Sequence, residues 1–183
     1  HQVYIFEAAR NYHEATFTVI HDFLKDKKIW GANFTYAKYS SKMGALLSGQ
    51  EPNVFSAKFS GGALMDLGVY TLYAAVRLFG APQNVCYTAQ KLPNSVDLNG
   101  SGSLIYPDFQ VRIQAGKNIH SQLPAEIYTD KGTLTLDGIE FIRSAIFQKL
   151  NGETESLAIR QADHQMLEEA QAFARVLKGG QEE

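Results

Sequence analysis

The sequence predicts an α+β fold: one mainly antiparallel open sheet with helices packed on one face. Apolar residues recur at helical spacing up to about residue 80 and again near the end, and they alternate with polar residues in between. Turn-forming pairs such as Pro107-Asp108 and Asp137-Gly138 separate the strand candidates, and tight turns join antiparallel neighbours. A chain of 183 residues, 45% of them hydrophobic, is enough for one domain with a sizeable core.

The first half contains two predicted helices. A short apolar run at residues 3–6 reads as a strand, and the helical spacing of apolar residues predicts a helix over residues 12–25. An aromatic-rich strand is predicted over residues 29–39. Residues 40–60 form the longest irregular segment, and loops of this length are often functional or mobile. A second helix is predicted from the glycine pair to Gly80.

The second half is predicted to supply most of the sheet. Its strand candidates are residues 84–89, 101–106, 109–115, 125–129, 132–136 and 145–150. An apolar stripe from Ala162 to Leu177 predicts a last helix, with Asp163 as its N-cap and Gly179 beyond its end.

Composition excludes several classes of function. A net charge of −2 and a pI near 6.2 give no electrostatic basis for binding nucleic acid or an anionic membrane. No unbroken apolar run approaches the ~20 residues of a membrane helix, and no signal peptide is visible, so we expect a cytoplasmic protein. The histidines form no His-Glu-x-x-His pattern, and a single cysteine, Cys86, leaves no Cys/His cluster. We therefore expect no metal site.

One stretch carries residues suited to proton transfer. Gly61-Gly62 precede a helical run in which Asp66 and Tyr70 are four residues apart, and so share one helix face. A carboxylate and a phenol together at the start of a helix can move a proton. The structural alternative is that Asp66 complements the positive helix N-terminus and Tyr70 packs in the core. Spacing alone leaves both interpretations open.

The same stretch resembles a family signature. The run Gly-Gly-Ala-Leu-Met-Asp-Leu-Gly-Val-Tyr, ending at Tyr70, is similar to the signature of the glucose–fructose oxidoreductase/inositol dehydrogenase (Gfo/Idh/MocA) family, whose members are NAD(P)-dependent sugar and polyol dehydrogenases. Four further segments resemble the family in the same order: Phe6-Glu7-Ala8, Tyr106-Pro107-Asp108-Phe109, Tyr128-Thr129-Asp130-Lys131-Gly132-Thr133-Leu134 and His164-Gln165-Met166-Leu167-Glu168-Glu169-Ala170.

This resemblance implies roles for both residues. A tyrosine at position 70, where the family commonly has histidine, is similar to the dihydrodiol dehydrogenases and some sugar dehydrogenases of the family. By that resemblance Tyr70 is the catalytic acid/base, and Asp66 orients the substrate hydroxyl or the phenol. The substrate class is a sugar, polyol or diol. The segment Tyr12-His13-Glu14-Ala15 departs from the family pattern, so no substrate contact is inferred there.

The nucleotide-binding half of such an enzyme is not visible in this sequence. The chain has no G-x-G-x-x-G motif between a strand and a helix, and no Glu-Lys-Pro tripeptide, which carries the family's lysine. We expect residues 1–183 to be a single C-terminal substrate and oligomerisation domain, without the N-terminal Rossmann domain. NAD or NADP would be held mainly by that domain, and this fragment alone would bind no cofactor and be inactive. The alternative is a non-catalytic assembly or sugar-sensing module with the same fold.

The predicted sheet also suggests self-association. The predicted helices cover one face, yet we expect the strands to supply large side chains to both; Phe34 and Tyr36, for example, alternate with Asn33 and Thr35. An open face of that kind favours a partner. We therefore expect a homodimer through the open sheet face, which is also what the family resemblance implies.

Overall fold

The computed structural model describes residues 3–179. The strands are β1 (Ile29–Ala37), β2 (Asn84–Lys91), β3 (Asp97–Ile105), β4 (Gln110–Gly116), β5 (Ala125–Thr129), β6 (Gly132–Leu136), β7 (Ala145–Lys149) and β8 (Thr154–Ser156). The α-helices are α1 (Ala15–Leu24), α2 (Met43–Leu47), α3 (Val69–Phe79) and α4 (Leu167–Leu177). Short 3-10 helices cover Arg10–His13, Asn53–Phe55 and Ala57–Phe59, and a π-helical turn, Leu64–Gly68, leads directly into α3.

All eight strands form one open sheet in the order β2-β3-β4-β1-β5-β6-β7-β8. β1 lies in the middle, parallel to β4, and every other neighbouring pair is antiparallel. The parallel pair has a simple cause: the chain leaves β1 through a long crossover that contains α2 and α3, whereas the later strands follow one another through short turns. The predicted α+β class is confirmed.

The core lies between the sheet and the helices α1 and α3. Phe17 and Ile20 of α1 are fully buried against Phe34 of β1, and Ala74 and Ala75 of α3 belong to the same cluster. The inward positions of the later strands complete this cluster: Val111, Ile113, Ala125, Ile127, Leu134, Leu136, Ala145 and Phe147. This packing fixes α3 on the sheet and thereby sets the position of the residues at its start.

The opposite face of the sheet differs from the expectation of large apolar side chains. Phe34 and Tyr36 both point toward the helices, where they pack against the core. The open face carries polar residues along its central strands: Asn33, Thr35, Ser101, Ser103, Arg112, Gln114, Glu126 and Tyr128. The prediction of large side chains on both faces holds only in part: Ile105, Tyr128 and Ile146 lie at outward positions, whereas Phe34 and Tyr36 occupy the inward register.

One helical segment passes the length and hydropathy test for a membrane-crossing helix. Residues Ala57–Phe79 have the length and hydropathy of a membrane-crossing helix. The segment is not one straight helix, because Ser60 adopts a left-handed conformation with φ 53°. Its helical part packs Ala74, Ala75 and Leu78 into the core. A buried face of this kind is that of a helix in a globular core.

The two ends of the chain account for most of the other differences. Residues 3–6, predicted as a strand, have no regular structure; Phe6 instead stacks on Phe173 with ring centroids 4.4 Å apart. The last helix begins at Leu167 with Met166 as its N-cap, so Asp163 is not the cap. Its buried residues are Glu169 and Ala172, while Leu177 is exposed, so the predicted stripe does not face the core. Gly179 follows the helix with φ 86°, as predicted.

Candidate functional site

Asp66 lies in a π-helical turn at one end of the sheet. The amide of Val69 donates to the carbonyl of Leu64, five residues back, which widens this turn before regular α-helix begins. Turns of this type are rare and occur frequently at functional sites. Gly68 makes the turn possible next to β4, since an added Cβ would lie 2.9 Å from Leu64 Cδ1 and 3.2 Å from Ala115 Cβ.

Asp66 forms an ion pair with Lys117, the residue that follows β4. The Lys117 Nζ donates to Asp66 Oδ2. The lysine side chain is 4% exposed and the aspartate side chain is 51% exposed. The pair therefore has its cation inside the domain and its anion at the surface. The spacing of Asp66 and Tyr70, from which proton transfer was predicted, gives no indication of Lys117.

The pattern of β4 contained a signal for Lys117. Val111, Ile113 and Ala115 point inward, and position 117 continues that alternation. A lysine at a buried position is almost always paired, because an isolated charge is costly to remove from water. A search for its carboxylate would have pointed to the helix packed over this end of the sheet.

Tyr70 is half-buried one turn beyond Asp66, between an aromatic ring and a cation. Its ring meets that of Tyr36 edge-on, with centroids 5.5 Å apart. The guanidinium carbon of Arg10 lies 5.8 Å from the centre of the Tyr70 ring. The side-chain amide of Asn11 donates to the Tyr70 carbonyl at 3.0 Å and fixes this turn of α3. Tyr70 and Asp66 thus both reach the surface at the same end of the sheet.

Arg10 is held rigidly beside Tyr70. Its Nη2 donates to the carbonyl of Glu140 at 2.7 Å, and its Nη1 donates to Gln165 Oε1 at 2.5 Å. Sequence patterns did not identify Arg10 either, because its partners are 130 and 155 residues away along the chain. The guanidinium therefore stays over the Tyr70 ring as a fixed cation–π partner.

The environment of Tyr36 favours its protonated form. Burial raises its pKa to about 12, and the charges of Glu140, Tyr70 and Asp66 act in the same direction. Its phenol therefore stays protonated at neutral pH, and its ring packs edge-on against that of Tyr70.

Glu14, just before α1, is a buried carboxyl group near the same arginine. The residue is 4% exposed, and its Oε1 has no hydrogen-bond partner among residues 3–179. Burial raises its pKa from the ordinary 4.5 to about 7, although the backbone amide of Ile142 and the charge of Arg10 favour the ionised form. Glu14 therefore changes charge near neutral pH.

We expect Glu14 to make the domain less stable as pH rises. Between about pH 4.5 and 7 the folded chain keeps a proton that the unfolded chain has lost, so the free energy of unfolding falls across this window and stays lower above it. Glu14→Gln should remove the fall and add about 1–3 kcal/mol near pH 8, with little gain near pH 5. Urea unfolding at several pH values measures this, with the exposed Glu155→Gln as control. Parallel pH profiles for Glu14→Gln and the unmodified chain would contradict the assignment.

The described residues do not form a metal site or a dinucleotide cradle. Within residues 3–179 no group of three His, Cys, Asp or Glu side chains could hold a metal ion. The central parallel strands β1 and β4 are not joined by a glycine-rich turn into a helix, which is the element that binds a pyrophosphate. The site thus offers a carboxylate, a phenol and two fixed cations.

Comparisons with known proteins identify the family of this fold. Residues 28–135 match the GFO/IDH/MocA C-terminal domain model. The chain is 34% identical over 177 residues to the uncharacterized oxidoreductase YgjR of Escherichia coli (strain K12), covering 96% of this chain and 54% of that protein. It is also 36% identical over 144 residues to the scyllo-inositol 2-dehydrogenase (NADP(+)) IolU of Bacillus subtilis (strain 168). This match covers 79% of this chain and 44% of IolU.

A solved structure shows the same fold at low identity. KijD10, a 3-ketoreductase from Actinomadura kijaniata crystallised with NADP and TDP-benzene, superposes with a TM-score of 0.78 and 17% identity, over 96% of this chain and 55% of KijD10. The chain spans about half the length of the curated relatives it matches. On the family model and these identities, the chain belongs to the Gfo/Idh/MocA family of oxidoreductases and contains its C-terminal domain.

Proposed function

We propose that this chain is the substrate domain of an NAD(P)-dependent oxidoreductase that oxidises a hydroxyl group of a sugar, polyol or diol. The observation that carries the proposal is the pairing at the start of α3, where Lys117 holds Asp66 and Arg10 lies beside Tyr70. The relatives' printed activities, a scyllo-inositol 2-dehydrogenase and a 3-ketoreductase, support the substrate class. The chain's share of about half of these relatives leaves the cofactor to a preceding nucleotide domain.

Oxidation of an alcohol requires removal of both a hydride and a proton. The nicotinamide cofactor supplies the hydride acceptor when it is bound. We assign the hydroxyl proton to Tyr70: in its ionised form the phenolate oxygen would accept that proton and become the neutral phenol, beside the Arg10 guanidinium. Asp66 is placed to accept a hydrogen bond from a hydroxyl group and so to orient the substrate.

The test is a substrate panel on the protein that includes its nucleotide domain. Inositols, aldoses and diols should be oxidised with reduction of NAD or NADP, and the best substrates should carry neighbouring hydroxyl groups. Absence of turnover with every polyol, while the protein still binds the cofactor, would favour the non-catalytic sensing or assembly module instead.

The chain without that domain should not bind the cofactor. The described residues provide no glycine-rich strand–turn–helix unit for the pyrophosphate. Calorimetric titration of this chain with NAD and with NADP should give no saturable heat. Micromolar affinity for either nucleotide would show that the cofactor site is carried here, contrary to the proposed division of the protein.

Self-association through the open sheet face belongs to the same proposal. The face is a broad concavity of about 610 Å³ with both apolar and polar lining, in which a partner would meet hydrogen-bonding groups such as Asn33, Arg112 and Glu126. An interface there should bury at least ~1,000 Å² in total. Light scattering should give about twice the 20.3 kDa of one chain, and a dimer held by polar contacts should weaken in high salt. A mass near that of one chain at every concentration would exclude the dimer.

A further inference from the structure

We infer that Lys117 is a positioning residue that acts through Asp66: it holds Oδ2 of this carboxylate and leaves Oδ1 at the surface to accept a hydrogen bond from a substrate hydroxyl. The inference rests on the proposed function, which supplies the hydroxyl-bearing substrate. It separates the role of Asp66, in the π-helical turn, from that of Tyr70 on α3. In this arrangement Asp66 orients the substrate through a hydrogen bond, and Tyr70 takes the hydroxyl proton without assistance from Asp66.

The first step is that the Lys117 side chain lies inside the domain. Its backbone amide donates to the carbonyl of Leu98 at 2.7 Å, and its carbonyl accepts from the amide of Ser40 at 2.8 Å, so the backbone is held on both sides. The Phe55 ring, fully buried, lies 5.8 Å from the ammonium and closes that side. The ammonium therefore stays inside the domain.

The second step is that this ammonium has one anionic partner. Among residues 3–179 the carboxylate within 4.0 Å of Lys117 Nζ is that of Asp66. A buried lysine that loses such a partner leaves an uncompensated charge, which is strongly unfavourable. The lysine and the aspartate are 51 residues apart, and the contact joins the end of β4 to the π turn.

The third step concerns the oxygen that Lys117 leaves free. Lys117 contacts Oδ2, whereas Oδ1 has no hydrogen-bond donor within the described part of the chain. The aspartate side chain is half exposed and borders a small concavity formed with Asn53, Ser60 and Gly61. An ionised carboxylate is purely an acceptor, so Oδ1 fits a hydroxyl donor. A hydrogen bond to an ionised carboxylate is shorter and stronger than one between neutral groups.

The kinetic test is a double-mutant cycle in the protein that includes its nucleotide domain. Lys117→Met should raise the KM for the best polyol about 10–100-fold with a smaller change in kcat, because a charged hydrogen bond to substrate is weakened. Lys117→Arg should restore much of that loss. In an Asp66→Asn background, Lys117→Met should cost nothing further. Lys91→Met, at an exposed end of β2, is the matched control and should leave KM unchanged.

A second cycle, on the melting temperature of the 183-residue chain, does not depend on activity. Asp66→Asn should lower the melting temperature because it leaves the buried Lys117 ammonium without an anionic partner. Adding Lys117→Met removes that charge and should recover most of the loss. If the protein oxidises no polyol but the melting cycle is non-additive, the proposed function fails and the assignment of Lys117 to Asp66 stands. Additive losses in either cycle, or an unchanged KM in Lys117→Met, would overturn the inference.

Discussion

Replacing Tyr70 with phenylalanine should lower kcat about 10²–10⁴-fold in the protein that includes its nucleotide domain. The change removes only the hydroxyl that takes the substrate proton, and positioned acid–base catalysis typically contributes that much. Cofactor affinity and fold should be unaffected, because the Tyr70 ring would keep its packing against Tyr36.

The matched control is Tyr73→Phe. Tyr73 lies three residues further along α3 and borders a different groove, so loss of its hydroxyl should leave kcat within about twofold. Steady-state rates across pH measure both variants. A Tyr70→Phe variant with unchanged kcat, or one that matches Tyr73→Phe, would remove Tyr70 from the reaction and return it to the role of a packing residue.

Replacing Gly62 with alanine should destabilise the domain by about 2–4 kcal/mol, or roughly 5–15 °C in melting temperature. Gly62 has φ 133°, a conformation that residues with a Cβ rarely adopt, and an added Cβ would overlap Asp97 Oδ1. Asp97 Oδ2 accepts hydrogen bonds from the Leu64 amide at 2.8 Å and the Tyr87 hydroxyl at 2.9 Å. Displacing Asp97 therefore frees the start of the helix that carries Asp66.

Gly44→Ala provides the control for this effect. Gly44 lies in α2 with no atom within 4 Å of an added Cβ, so alanine should be neutral or slightly stabilising. Thermal unfolding followed by circular dichroism compares the two variants. Equal melting temperatures for Gly62→Ala and Gly44→Ala would show that the backbone at Gly62 is not under the constraint described.

Local patterns were sufficient to predict the parts of the fold that depend on neighbouring residues. β5 and β6 coincide with their predicted bounds, because alternation sets the strands and Asp130-Lys131-Gly132 sets the turn between them. β8 was not predicted: Thr154–Ser156 is short, polar and exposed, and is a strand only because it pairs with β7. Residues 3–6 were predicted as a strand and are not one, because this apolar run has no neighbouring strand to pair with.

The candidate site likewise combines residues that local spacing predicts with residues that only the folded structure brings together. Asp66 and Tyr70 are adjacent on one helix, so their shared face follows from spacing. Their cations come from distant parts of the chain, Lys117 from the end of β4 and Arg10 from the segment before α1. Which charge meets which side chain depends on the sheet order, which local patterns do not contain. The number of polar side chains on the open face was not predicted for a related reason: the inward register of β1 was not fixed until its partners were known.

The most direct test of the proposed function is a structure of the protein with its nucleotide domain, NADP and a bound inositol or related polyol. We expect one substrate hydroxyl within about 2.6–3.2 Å of the Tyr70 hydroxyl oxygen. The same hydroxyl or its neighbour should donate to Asp66 Oδ1, with Lys117 still on Oδ2. A polyol bound on the open sheet face, or bound with Tyr70 and Asp66 both out of hydrogen-bond reach, would contradict the proposal.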